Sequence, residues 1–133
     1  MRRALIAILL ILLAGAAFVF FGTKDEIDVT RILLEGKWVS TEDAKFTREF
    51  KSDGTIIDAY EGSAPDTNGN WTLFTKEMPV EGFTGELEDE PIYLAIAMPE
   101  SEALYFKITK IDEGTLEMVY LNRGGTLSFT KIK

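Results

Sequence analysis

The chain contains no cysteine and no histidine. The first absence excludes a disulfide framework, a thiol nucleophile and a lipid-modified N-terminal cysteine. The second removes imidazole acid-base chemistry, Ser-His-Asp triads and, with thiolates also missing, the usual zinc sites. Carboxylates are abundant enough for a two-acid mechanism, but no spacing singles out a pair. The expectation is a non-enzymatic protein without catalytic residue, cofactor or metal. Basic side chains are also few, with 14 Lys and Arg against 22 Asp and Glu. Such a surface repels phosphate backbones, which argues against nucleic acid as a partner, while a cationic protein stays compatible.

What the chain does have, at its start, is a long run without charge. Ala4 to Phe21 follows directly on Arg2 and Arg3, and as an α-helix its 18 residues would extend roughly 27 Å, close to the roughly 30 Å of a bilayer's hydrocarbon core. Ala14, Gly15 and Ala16 would suit a signal peptidase, yet Phe18, Val19, Phe20 and Phe21 carry the apolar run past them. Retention as a single-pass cell-membrane anchor over residues 1–22 is therefore expected, with secretion after cleavage as the alternative. Arg2 and Arg3 before the run, and Asp25, Glu26 and Asp28 after it, put the N-terminus inside and the C-terminal domain outside. Taking residues 1–22, with their two arginines, from the 133 leaves 111 residues carrying 12 basic and 22 acidic side chains. That is one acidic domain, which must stand on its core alone.

Lys24 to Glu35 is acidic at its front, holds Ile27, Ile32, Leu33 and Leu34, and ends at Gly36. Residues 23–35 read as a short helix or linker. From Gly36 to the C-terminus, residues 36–133, apolar residues alternate with polar ones in short runs separated by turn chemistry. Strands are expected at Gly36–Ser40, Lys45–Lys51, Thr55–Glu61, Gly69–Thr75, Ile92–Met98, Leu104–Ile111, Thr115–Leu121 and Thr126–Ile132. Asp53-Gly54 supplies the positive backbone angles of a tight hairpin. Ile92 to Met98, nearly all apolar, suits a strand covered on both faces. Met78 to Pro91 reads as a surface loop, and its acids Glu86 to Glu90 as solvated. Eight sequential antiparallel strands favour a closed up-and-down barrel, since closure removes the edges that an open meander exposes.

A short helical segment, then Gly36-Lys37-Trp38 at the start of the first strand, then an eight-stranded meander resembles the lipocalin and wider calycin barrels. Their G-x-W tripeptide follows a short helix and closes the barrel floor. The likeness is to compact bacterial lipocalin-like domains carried on one N-terminal membrane helix, since disulfides and a T-D-x-x-Y segment are missing here. It implies that Lys131 or Arg123 packs across the Trp38 ring, a structural cation-π contact.

The expected inward set is Trp38, Phe46, Phe50, Ile56, Tyr60, Trp71, Leu73, Leu94, Ile96, Phe106, Ile108, Met118, Tyr120, Leu127 and Phe129. So many bulky groups on short strands predict a largely filled interior. Arg48 falls between Phe46 and Phe50 on that face, so it either reaches water near the barrel mouth or finds a partner such as Asp58 or a ligand carboxylate. Arg48, Tyr60, Trp71 and Tyr120 are the candidate contacts for a small apolar or amphipathic ligand. Asp66, Asn68, Asn70 and Glu77 match a calcium-loop spacing, but Trp71 stands where the bend needs glycine. The expected function is a membrane-anchored extracytoplasmic binding domain. The alternatives are an acidic domain that engages a cationic envelope protein or lysozyme-like enzyme, and a structural spacer.

Overall fold

A computed structural model describes residues 24–62 and 66–133. The anchor expected over residues 1–22 lies outside them, and among the described residues no helix is long and apolar enough to cross a membrane. The chain runs α1 (Lys24–Leu34), β1 (Gly36–Ser40), β2 (Phe46–Phe50), β3 (Thr55–Tyr60), β4 (Thr67–Phe74), β5 (Tyr93–Ala97), β6 (Leu104–Ile111), β7 (Thr115–Tyr120) and β8 (Thr126–Lys131). Every strand pairs antiparallel with its sequence neighbour, and β1 pairs with β8 through Trp38↔Lys131, Val39↔Thr130 and Ser40↔Phe129, which closes the barrel. The expected eight-stranded meander is thus observed, with strand ends shifted by a residue or two.

The segment at residues 24–34 is helix rather than linker, and it belongs to the barrel. Asp25 and Glu26 lie in its first turn and Arg31 in its last, the arrangement that complements the helix dipole. Ile27, Thr30 and Leu34 are buried at helical spacing and seal one end of the barrel. The turns at 51–54 and 112–114 share that end with α1, so the connections at 41–45, 98–103 and 121–125 lie at the opposite end, the mouth.

Side-chain alternation fills the interior. Trp38, Phe50, Ile56, Trp71, Leu94, Ile96, Phe106, Leu116, Met118 and Phe129 are buried in one cluster, with Phe46, Leu104, Tyr120 and Leu127 packed half-buried against it. Tyr60, expected inside, is 40% exposed; it is the last residue of β3 and stands at the rim. A register shift between Ile108 and Lys110 places both Ile108 and Ile111 inside, three residues apart, which strict alternation forbids and a bulge permits.

Two local expectations change. In the β2–β3 turn only Gly54 has positive φ, +92°. The Gly54 amide donates to the Lys51 carbonyl, and Asp53 acts through its carboxylate, which accepts from the Thr55 amide and hydroxyl. The stretch from Met78 to Pro91 is also more than a solvated loop. Val80, Phe83 and Leu87 fold onto the outer face of β4, β5 and β6, covering Phe74, Tyr93, Ala95 and Tyr105. Phe74 stacks on Tyr93 at 5.3 Å between ring centres, and Phe83 lies 4.8 Å from Tyr105. This strap gives β5 the second covered face that its unbroken apolar run demanded.

Candidate functional site

The G-x-W tripeptide and Lys131 form one structural unit at the sealed end. Gly36 adopts φ +127°, a conformation strained for any other residue, and a side chain there would meet Lys131 Cε at 2.7 Å and push the lysine stem from its present path. Lys131 then reaches over the Trp38 ring, 5.2 Å from its centre, and donates to the Leu33 carbonyl at 3.0 Å. Trp38 is fully buried and its Nε1 donates to the Leu34 carbonyl at 2.9 Å. Burial pushes the Lys131 ammonium below its ordinary value, and Glu35 and Glu113 act in the opposite direction. Of the two basic candidates Lys131 fills the place, whereas Arg123 is exposed in the β7–β8 connection at the other end.

Arg48 is the polar centre of the barrel. It is 5% exposed, not water-facing. Its cross-strand neighbour Asp58 accepts from Nε at 2.8 Å and from Nη2 at 2.9 Å, the bidentate geometry that makes Arg–carboxylate pairs strong. Three rings surround the guanidinium carbon: Phe46 at 5.3 Å, Phe106 at 5.6 Å and Phe129 at 5.8 Å. Each ring face adds a favourable contact to the charge. The third nitrogen, Nη1, is buried and has no hydrogen-bond partner.

Above this pair the mouth holds a cavity of about 360 Å³, lined by Phe46, Asp58, Ala59, Tyr60, Thr67, Met98, Pro99 and Ser101. Glu100, at the tip of the β5–β6 connection, has φ +62°, a conformation that side-chain-bearing residues seldom adopt and one held here beside the cavity rim. A hydrogen bond to Asp43, and the charge of that carboxylate, raise the Tyr60 phenol above its ordinary value.

The structure therefore gathers two of the four candidate ligand contacts near one place. Tyr60 lines the cavity, and Arg48 lies behind its walls, bound to Asp58 and beneath Phe46. Tyr120 is half-buried and stacks on Phe106 at 5.3 Å without reaching the cavity wall. Trp71 lies toward the sealed end, with Nε1 donating to the Lys51 carbonyl, its ring perpendicular to that of Phe50 at 5.3 Å and the Arg31 guanidinium 5.5 Å from its centre. Met98, Pro99 and Ser101 follow β5 in the sequence and carry no pattern that marks them as cavity walls. The calcium-spaced Asn68 and Asn70 sit on extended β4, a strand that cannot curl around an ion. No protein-family model matches this chain, and no curated protein or solved structure matches it.

Proposed function

We propose that this chain is a membrane-anchored, non-enzymatic binding module with a lipocalin-like barrel, which takes a small apolar or amphipathic ligand at its mouth. The observation that carries this proposal is the roughly 360 Å³ cavity, walled by aromatic, thioether and hydroxyl groups, with Asp58, the carboxylate partner of Arg48, in its lining. Apolar walls with a few convergent polar groups are what small-molecule sites usually present. Only Thr23 separates Gly22 from Lys24, a tether spanning at most about 7 Å. With residues 1–22 in the bilayer, the α1 end would face the membrane and the mouth would face away, toward soluble or envelope-borne ligands.

The test is native mass spectrometry of the full chain released from lipid nanodiscs, alongside Ser101→Trp, which would crowd the cavity from an exposed loop. Expected is a co-purifying or added small molecule retained by the wild type and released about tenfold more readily by the variant. Equal retention by both chains would remove the mouth as the site.

A second proposal, binding of a cationic protein, is favoured by the strap. Glu81, Glu86 and Glu90 are exposed on it, while Glu88 and Asp89 pair with Lys107 at 3.0 Å and Lys76 at 3.1 Å. Such capture should weaken steeply with added salt.

A further inference from the structure

We propose that the polar end of the ligand is a neutral oxygen acceptor, a carbonyl or hydroxyl, and that it binds the free Nη1 of Arg48 after the Phe46 ring swings aside. This rests on the binding-module proposal above and names the ligand class for the same site. Nη1 is buried within the barrel without a partner, and a guanidinium nitrogen can only donate. Whatever completes it must therefore accept a hydrogen bond. A buried donor left open is uncommon and costly, so the vacancy points to a group that arrives from elsewhere.

The charge of that group follows from Asp58. Its carboxylate already accepts from Nε and Nη2 and neutralises the guanidinium. A second anion at Nη1 would face Asp58 across a poorly solvated interior, where like charges repel strongly. An ammonium group offers no acceptor and would lie against the guanidinium itself. A neutral carbonyl or hydroxyl avoids both penalties. The sequence allowed Arg48 to meet a ligand carboxylate; once Asp58 occupies its fork, that option is disfavoured.

Access follows from the walls. Phe46 and Asp58 both touch Arg48 and both line the cavity, so together they partition Nη1 from the mouth. Asp58 is pinned by two charged hydrogen bonds. Phe46 is half-buried, begins its strand and has no hydrogen bond to fix its ring, which makes it the movable side of the partition. Tyr60, Met98 and Pro99 would then cover the apolar part of the ligand.

The full chain in lipid nanodiscs would be titrated with octanamide, octanoate and octylammonium, reading heat of binding and the Arg48 guanidinium ¹⁵N resonances. Octanamide is expected to bind about tenfold more tightly than either charged probe, a factor typical of one hydrogen bond, and to shift the Arg48 resonances. In the double variant Arg48→Met with Asp58→Leu, octanamide should still bind but about tenfold more weakly, having lost one hydrogen bond. Octanoate binding as tightly as octanamide, or octanamide affinity undiminished in the double variant, would overturn the neutral-acceptor assignment and leave the cavity proposal standing. Binding of octanamide without any shift at Arg48 would overturn it too, using the wild type alone. Failure of every probe would remove both proposals together.

Discussion

Among single residues, Asp58 and Arg48 are unequal to their sum. Asp58→Ala would strand a guanidinium in an apolar interior, and a loss of about 3–5 kcal/mol in denaturant unfolding is expected. Arg48→Met with Asp58→Leu removes both charges and should cost little or even stabilise. If the single variant proves as stable as the double, the pair is not desolvated as its burial implies. Asp53 gives a pH signature. Hydrogen bonds from the Thr55 hydroxyl and amide hold its carboxyl below the usual 3.8. Its contribution is therefore complete above that value and is lost as pH falls through the lower folded value. The stability gap between wild type and Asp53→Ala should be open at neutral pH and close in acid; a gap constant down to pH 2 would contradict that assignment. Lys131 has the converse chemistry, because a base whose value is lowered by burial makes folding more favourable as pH rises through that value toward 10.5.

The elements are stabilised by different means. Helix α1 is too short to persist alone at 11 residues, and its order comes from Ile27, Thr30 and Leu34 packing into the barrel end. Leu34→Ala should cost about 2–5 kcal/mol, whereas Ile32→Gln, at a position 68% exposed, should stay within about 0.5 kcal/mol. Equal effects in thermal unfolding would mean that α1 is not part of the cooperative core. The strap is attached by a small satellite cluster, so Phe83→Ala should free it locally. Limited proteolysis should then cut between residues 75 and 92 while the unfolding midpoint moves only slightly. The β2–β3 turn, α1 and most strand positions were legible in sequence, because turn chemistry and side-chain period are local properties. The strap was not, since Val80, Phe83 and Leu87 are sparsely spaced and acquire meaning only opposite Phe74, Tyr93 and Tyr105.

At the scale of the molecule, closure between β1 and β8 makes one cooperative unit. Trp38 and Trp71 lie in the same buried cluster, so tryptophan fluorescence and far-ultraviolet circular dichroism should trace one coincident unfolding transition. Two separated transitions would show that the barrel opens in stages. Pairing the chain's first strand with its last also requires closing a loop of most of the described length, which predicts refolding in milliseconds to seconds rather than microseconds.

The alternation of apolar and polar residues by itself determined eight strands and most of their inner faces, Tyr60, Ile111 and Leu116 excepted, because a period of two leaves each strand one face to bury. It also marked Arg48 as an anomaly among Phe46 and Phe50. Only the tertiary structure decided that Asp58, ten residues away and directly opposite on β3, takes two of the three guanidinium nitrogens. It decided likewise that Lys131 rather than Arg123 crosses Trp38, and that a cavity opens at the mouth. These outcomes depend on register, tilt and closure, which set distances between residues far apart in the chain and leave no trace in local composition.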